Sequence, residues 1–343
     1  MNLTFKPYTL GLKHQFTLAG SSRGTTPVML TKIEHKGFTG YGEASMPPYL
    51  GESHDSVSKF LKMLDLRKFN DPFNLTEILN YINNIVPGNT AAKASVDIAM
   101  HDLLGKMIKQ PWYKIWGFDK TKTPLTTYTI GIDTDEIIRQ KVKEAEPYKI
   151  LKVKLGRDND KEIIDIVRSV TDKPIAVDIN QGWKDWKMAL EMVYWLKEKN
   201  TLFVEQPMPK NQIDDMARLT EKSPLPTFAD EAVQGIDDVV KIKGIYSGIN
   251  IKLMKCGGMR NAREMISIAR ALDMQIMLGC MTETSCAISA AAQLAPTVDF
   301  ADLDGNLLIN NDPFIGLKVT DGYTKPIDSH GIGVELLNPA FFG

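Results

Sequence analysis

The chain has 343 residues, with 41 Lys and Arg against 42 Asp and Glu, for a net charge of −1. That balance carries no electrostatic footprint for nucleic acid or an anionic membrane surface, and argues against both as partners. The length suits a barrel of about 250 residues plus a smaller domain, with enough chain to bury a full core.

The opening, Met1-Asn2-Leu3-Thr4-Phe5-Lys6-Pro7, lacks an apolar core of signal-peptide length, and no later segment approaches about 18 uninterrupted apolar residues. A soluble, cytoplasmic protein acting on a small molecule is expected, with a homo-oligomer left open. A polar loop is expected at 20–26, carrying Arg23. Residues 28–43 then alternate around Lys36-Gly37 and predict an antiparallel hairpin. Apolar residues at three- and four-residue spacing predict helices over 55–64, 75–85 and 91–106, with a break at Pro87-Gly88-Asn89. Strands followed by segregated helices make an α+β domain over residues 1–120.

Beyond residue 120 the rhythm becomes alternating strand and helix. Strands are predicted at 126–130, 150–155, 175–179, 202–205, 227–230, 248–253, 275–279 and 300–304. Helices fill the gaps at 133–146, 161–170, 186–199, 211–220, 236–242, 261–271 and 285–294. Eight strands with seven helical connections predict a (β/α)8-type barrel over 121–316, its last helix missing or reduced. The Gly- and Pro-containing tail, 317–343, is expected to return to the first domain.

Three of those strands end in a carboxylate: Asp178, Glu205 and Asp230, about 25 to 27 positions apart. That is the length of one βα unit, so the three fall at one end of adjacent strands and converge. Carboxylates so placed repel unless a cation lies between them, and hard oxygen ligands with open positions favour Mg²⁺ over zinc.

Lys152 and Lys154 alternate onto the inner face of the second strand, one unit before Asp178. Crowded ammonium groups beside a divalent cation are expected to lower the pKa of at least one lysine, making an amine base available near neutral pH. Lys252 ends the sixth strand, across the ring from the second. Two bases on opposite sides of one carbon permit proton removal from one face and return to the other. Asp302 and Asp304 share one side of the eighth strand, where they could hold an ammonium or a second metal. No histidine accompanies the cysteines Cys256, Cys280 and Cys286 in a recognisable signature, and nothing pairs them, so they read as reduced thiols, with Cys280 a pocket wall.

The order Lys-x-Lys, Asp-x-Asn, Glu-Gln-Pro, Ala-Asp-Glu and Asn-Ile-Lys-x-x-Lys-x-Gly-Gly resembles the muconate-lactonizing subgroup of the enolase superfamily along nearly the whole chain. A lysine base working with Mg²⁺ is the established pattern of that superfamily, so it follows from the resemblance and not from spacing. Asp302-x-Asp304 is similar to the motif of dipeptide epimerases, where it holds the α-ammonium of the first residue. The resemblance implies Mg²⁺ on Asp178, Glu205 and Asp230, Lys154 and Lys252 as acid/base pair, and Lys152 as helper to Lys154 and the enolate oxygens. It also implies Asn180 and Glu231 supporting the ligands from behind, Arg23 on a glutamate side-chain carboxylate, and Thr129 and Cys280 touching substrate, Cys280 where serine is expected. The implied reaction is epimerisation of a dipeptide such as L-Ala-D/L-Glu. A cycloisomerase or o-succinylbenzoate synthase of the same superfamily stays open, although Asp302 and Asp304 would repel its anionic, amine-free substrates. A scaffold that has lost catalysis would lack a ligand or a lysine, and none is missing.

Overall fold

A computed structural model describes residues 1–17 and 22–343. The first sheet is antiparallel, with strands β1 (Asn2–Thr17), β2 (Ser22–His35) and β3 (Phe38–Ser45) in that order. The expected hairpin is the β2–β3 pair. It turns at Lys36 and Gly37, whose φ values of 48° and 81° suit the tight turns that match strand twist.

Strand β1 was not expected, because Pro7 and Gly11 break its alternation; at a sheet edge both are tolerated. Its presence corrects the polar loop. Ser22 to Thr26 belong to β2, with Arg23 opposite Phe16 and Thr26 opposite Leu10, because β1 supplies a partner for their backbone. Gly20 and Ser21 lie outside the described residues.

Helices α1 (His54–Lys62), α2 (Leu75–Asn84), α3 (Thr90–Met107) and α4 (Trp112–Ile115) follow. Helix α3 lies against the sheet at backbone contact. A Cβ added at Gly42 would stand 1.9 Å from Ser95 O, so only glycine permits the approach.

The barrel runs β4 (Thr127–Ile130), α5 (Asp135–Glu144), β5 (Ile150–Lys154), α6 (Asp160–Arg168), β6 (Ile175–Asp178), α7 (Trp186–Glu198), β7 (Thr201–Glu205) and α8 (Ile213–Lys222). It continues with β8 (Thr227–Ala229), α9 (Ile236–Lys241), β9 (Gly248–Lys252), α10 (Leu253–Cys256), α11 (Met259–Ala271), β10 (Gln275–Gly279), α12 (Ser285–Ala292) and β11 (Phe300–Asp302). All eight strands pair in parallel in sequence order, and a bridge between Thr126 and Ala301 joins the last to the first. This is the predicted barrel. Among the described residues only 3-10 turns, at Gly305–Leu307 and Pro339–Phe342, follow β11 as helical structure.

One end of the barrel is plugged by Phe203, Phe228, Phe300, Met277 and Ala176, the three rings lying 4.8 to 5.6 Å apart. With one end filled by hydrocarbon, the polar inward residues gather at the other. Beyond β11 the short strands β12 (Phe314–Ile315) and β13 (Glu335–Leu336) pair, and the last residues pack on the first sheet, Phe314 and Phe342 against Tyr41 and Phe341 against Tyr8.

Two buried acids join the sheet-and-helix region to the barrel. Glu43 of β3 accepts from the backbone N–H groups of Thr284 and Ala287 at the start of α12, and from the Thr284 hydroxyl. Asp97 of α3 accepts from Met259 N at 2.6 Å, at the start of α11. Each satisfies donors that a helix start leaves orphaned. Among the described residues, no helix is long and apolar enough to cross a membrane.

Candidate active site

Strand register sets the charges in one layer. Lys154 stands beside Asp178 and Asp178 beside Glu205; Gly279 stands beside both Lys252 and Asp302, and Thr129 beside Lys152. These are the carboxyl ends of the strands, the face where barrel loops build sites. Strands β5 and β9 are four apart in an eight-strand ring, so Lys154 and Lys252 face each other across it.

Asp178, Glu205 and Asp230 are buried, and one carboxylate oxygen from each lies within 4.8 Å of the others. Each acid is gripped by one oxygen from outside the cluster. Asp178 Oδ1 accepts from Asn180 N at 2.9 Å, Glu205 Oε1 from Asn250 Nδ2 at 2.7 Å, and Asp230 Oδ1 from Lys255 Nζ at 2.5 Å. The other oxygen of each meets a lysine of the same layer. Lys154 and Lys252 donate to Asp178 Oδ2 and Asp230 Oδ2, each at 2.6 Å, and Lys152 Nζ lies 2.6 Å from Glu205 Oε2. That last contact is an ion pair without hydrogen-bond alignment, so Glu205 Oε2 is a buried oxygen with no hydrogen-bond donor. Three hard, anionic oxygens with such an orphan among them fit Mg²⁺ well.

The grip on Asp178 needs unusual backbone. Asn180 and Gln181 after β6, and Gln206 after β7, have φ of 44°, 68° and 37°. Gln206 in turn accepts from Asp230 N and Ala232 N through Oε1, fixing the chain around the third ligand. Left-handed residues at non-glycine positions are strain that a surrounding network must hold.

Before any cation binds, the carboxylates of this layer set the charge on two of its lysines. Burial pulls Lys152 down, but Asp302, Glu205, Asp178 and Asp230 together outweigh it and hold the ammonium well above its ordinary value. Lys252 is likewise held up, burial being overcome chiefly by Asp230. The acids outnumber the ammonium groups in the layer, which spacing alone did not reveal. For Asp178 and Asp230, burial pushes upward and the adjacent lysines prevail, keeping both below the usual carboxylate range. Glu205 goes the other way, raised by burial and the charge of Asp178.

A cavity of about 420 Å³ opens over this layer. Lys152, Lys154, Asp230 and Lys252 form its floor, and Asp302 and Asp304 one wall. The two wall acids differ. Asp302 is tied to Lys152 at 2.6 Å and to the Thr127 hydroxyl at 2.5 Å, whereas Asp304 accepts from Thr129 N at 2.6 Å and has its pKa raised to about 6 by burial and by Asp302. Asp304 is therefore the acid more available to a cation. Thr129 and Cys280 also line the cavity, and burial holds the Cys280 thiol well above its ordinary value, which removes it as a nucleophile. Arg23 reaches the cavity from β2, its Nη2 3.3 Å from Thr282 Oγ1. Asn180 and Glu231 line the cavity edge and are linked through Asn180 Nδ2 at 3.4 Å.

Sequence reasoning missed several neighbours. Asn250 shares the inward face of β9 with Lys252 by simple alternation, so its grip on Glu205 was readable. Lys255 stood inside the Asn-Ile-Lys-x-x-Lys motif but lies on α10, a helix the strand pattern concealed. Tyr49 and Met281, joined by a hydroxyl–sulfur contact of 3.2 Å, close the cavity from loops that carry no periodic signal.

Two family descriptions match the chain. Residues 8–117 match the mandelate racemase/muconate lactonizing enzyme N-terminal domain, and residues 136–340 the enolase C-terminal domain-like unit. The chain belongs to the mandelate racemase/muconate lactonizing enzyme family of the enolase superfamily. Within that family it is 61% identical to an L-Ala-D/L-Glu epimerase of Bacteroides thetaiotaomicron, over 97% of this chain and 88% of that protein. A substrate-liganded complex of the L-Ala-D/L-Glu epimerase of Bacillus subtilis superposes with a TM-score of 0.91 at 26% identity, covering 97% of this chain and 98% of that one. A dipeptide epimerase of Enterococcus faecalis, complexed with Mg and the dipeptide L-Leu-L-Tyr, gives 0.90 at 28% identity, covering 97% and 98%.

Proposed function

We propose that this protein is a Mg²⁺-dependent dipeptide epimerase that inverts the α-carbon of the C-terminal residue, with L-Ala-D/L-Glu as its substrate. The observation that carries the reading is the pair of lysines, Lys154 and Lys252, facing each other across one cavity whose wall holds Asp302 and Asp304. The 61% identity to an epimerase of that name supports the substrate.

Asp304, helped by Asp302, binds the substrate ammonium, and Arg23 the glutamate side-chain carboxylate, while Thr129 and Cys280 shape the wall. Asn180 and Glu231 brace the ligands. Lys154 takes the α-proton from one face and Lys252 returns one to the other, or the reverse, through an enolate. Lys152, tied to Asp302 at 2.6 Å, offers a fixed positive charge to the enolate oxygens. Asp178, Glu205 and Asp230 would hold Mg²⁺, which would supply charge that stabilises the enolate and offsets the carboxylate charge around Lys252. The acids at the wall speak against a cycloisomerase, whose anionic substrates they would repel.

Residues 1–120 with the tail 317–343 act as a cap on the catalytic barrel of 121–316. Dipeptides of this kind arise in murein turnover, and a cytoplasmic enzyme recycling them is the setting we infer. Incubating the protein with a dipeptide library in D₂O and reading mass by spectrometry tests the reading. Deuterium should enter L-Ala-L-Glu and L-Ala-D-Glu with interconversion, and should cease in excess chelator. Exchange confined to other peptides, or persisting in chelator, would overturn it.

A further inference from the structure

The three ligand acids are gripped from behind by different chemistry. Asn180 N and Asn250 Nδ2 are neutral donors, while Asp230 is gripped by a charged one. Lys255 is buried with a side-chain exposure of 1%, and its hydrogen bonds go inward: to Asp230 Oδ1 at 2.5 Å, Asp230 O at 2.7 Å and Asn250 O at 2.9 Å. An ammonium has three protons, and three acceptors use them all. Its position is set by the chain on both sides of the cluster: Asn250, two residues before Lys252 on β9, and Asp230 at the end of β8.

We infer that Lys255 is a positioning residue for the proposed epimerase. It fixes the carboxylate of Asp230 so that Oδ2 alone faces the cluster, and it ties the ends of β8 and β9 together so that Asp230 and Lys252 keep their register. The inference rests on the reading of Asp230 as a metal ligand and Lys252 as one of two bases. Lys255 itself touches neither substrate nor cavity; it does not line the pocket.

Two opposed effects decide what its loss would do. Removing a positive charge near the cluster would strengthen its attraction for a divalent cation. Removing the donor leaves Asp230 Oδ1 buried without its partner, takes one donor from each of two carbonyls and frees the carboxylate to rotate. The positioning loss dominates, because a ligand acid in the wrong orientation contributes no coordinating oxygen. The same loss acts unevenly on the two bases. Asp230 Oδ2 is the partner of Lys252 at 2.6 Å, whereas Lys154 rests on Asp178, which Lys255 does not contact.

The experiment uses Lys255→Met, which keeps length without charge or donors, and Lys255→Gln, which keeps an N–H donor. Mg²⁺ binding to the metal-free protein is measured by calorimetry, and α-deuterium exchange of each L-Ala-Glu epimer is measured at saturating Mg²⁺. Lys255→Met should bind Mg²⁺ about tenfold to a hundredfold more weakly than the parent. With metal saturated, exchange of the epimer served by Lys252, identified with Lys252→Ala, should fall several times more than exchange of the other, with Lys255→Gln intermediate in both. If Lys255→Met does not fold, Lys255→Gln alone decides. Unchanged or tighter Mg²⁺ binding, or an equal fall for both epimers, would overturn the inference. A parent protein that binds no Mg²⁺ would instead overturn the reading beneath it.

Discussion

The floor and the roof of the cavity are built on opposite principles. The floor is a layer of charge at the ends of paired strands, where Lys152, Lys154, Asp178, Glu205, Asp230 and Lys252 are almost fully buried and each is tied to at least one other. The roof comes from the start of β2, the Pro47–Tyr49 turn and the loop after β10, and its contacts include a hydroxyl to a sulfur and a guanidinium to a hydroxyl. Damage to the floor should therefore stop the chemistry for every substrate. Damage to the roof should only change which substrates react.

The largest effect tests the floor. Lys252→Ala should cut epimerisation by about a thousandfold or more, since general acid–base groups contribute on that scale. It should still exchange deuterium into one epimer, and Lys154→Ala into the other; two variants that exchange the same epimer would break the opposed-base picture. Next comes the wall between the two regions. Replacing Asp304 with Asn should lower kcat/KM about a hundredfold for free-amine dipeptides and far less for N-acetyl forms, as charged hydrogen bonds of this strength imply. Equal losses would remove Asp304 from ammonium recognition. Weaker still, Arg23→Met should reduce kcat/KM for L-Ala-L-Glu by about tenfold while leaving dipeptides with apolar second residues nearly unchanged. A loss spread evenly over both classes would mean that Arg23 is part of the floor's machinery instead.

The smallest effect concerns the seam between the regions. Burial, then Glu283, raises Glu43 from 4.5 to about 8, and Glu283 itself is raised to about 7 by burial. The fold thus favours the protonated acid. Below the unfolded value both states carry the proton and nothing is lost; as pH climbs from 4.5 towards 8 the unfolded chain releases it first and stability declines. Glu43→Gln cannot titrate there, so its denaturation midpoint should fall less across that window, with a relative gain on the order of 2 kcal/mol at the upper end. Parallel pH profiles for the two proteins would show that Glu43 is not the group responsible.

The same division explains what the sequence disclosed. The barrel strands were legible because each is a short apolar run, most of them closing on a charge, and parallel pairing in chain order leaves no freedom in where those charges go. Lys152, Lys154, Asp178, Glu205, Asp230, Lys252, Asp302 and Asp304 accordingly meet in one place. Strand β1 was hidden by Pro7 and Gly11, and with it the true setting of Arg23. Charge balance was hidden too. Spacing showed which lysines would be near each other, but not that Asp302 turns inward to Lys152. Tyr49 and Met281 meet only through tertiary packing and left no local trace.

Glu43 and Asp97 seat the starts of α12 and α11, which means that neither part of this molecule carries a finished surface of its own. An excised barrel would leave the N–H groups of Thr284, Ala287 and Met259 without these acceptors, and an excised cap would strand two acids. Natural or engineered shuffling of caps among such barrels is therefore constrained at a handful of named positions. A foreign cap bearing a hydrocarbon at 43 or 97 would graft poorly even if its pocket loops were ideal. Side chains that only line the cavity, such as Arg23 and Tyr49, can change without touching that joint, while the joint that carries them must be inherited whole.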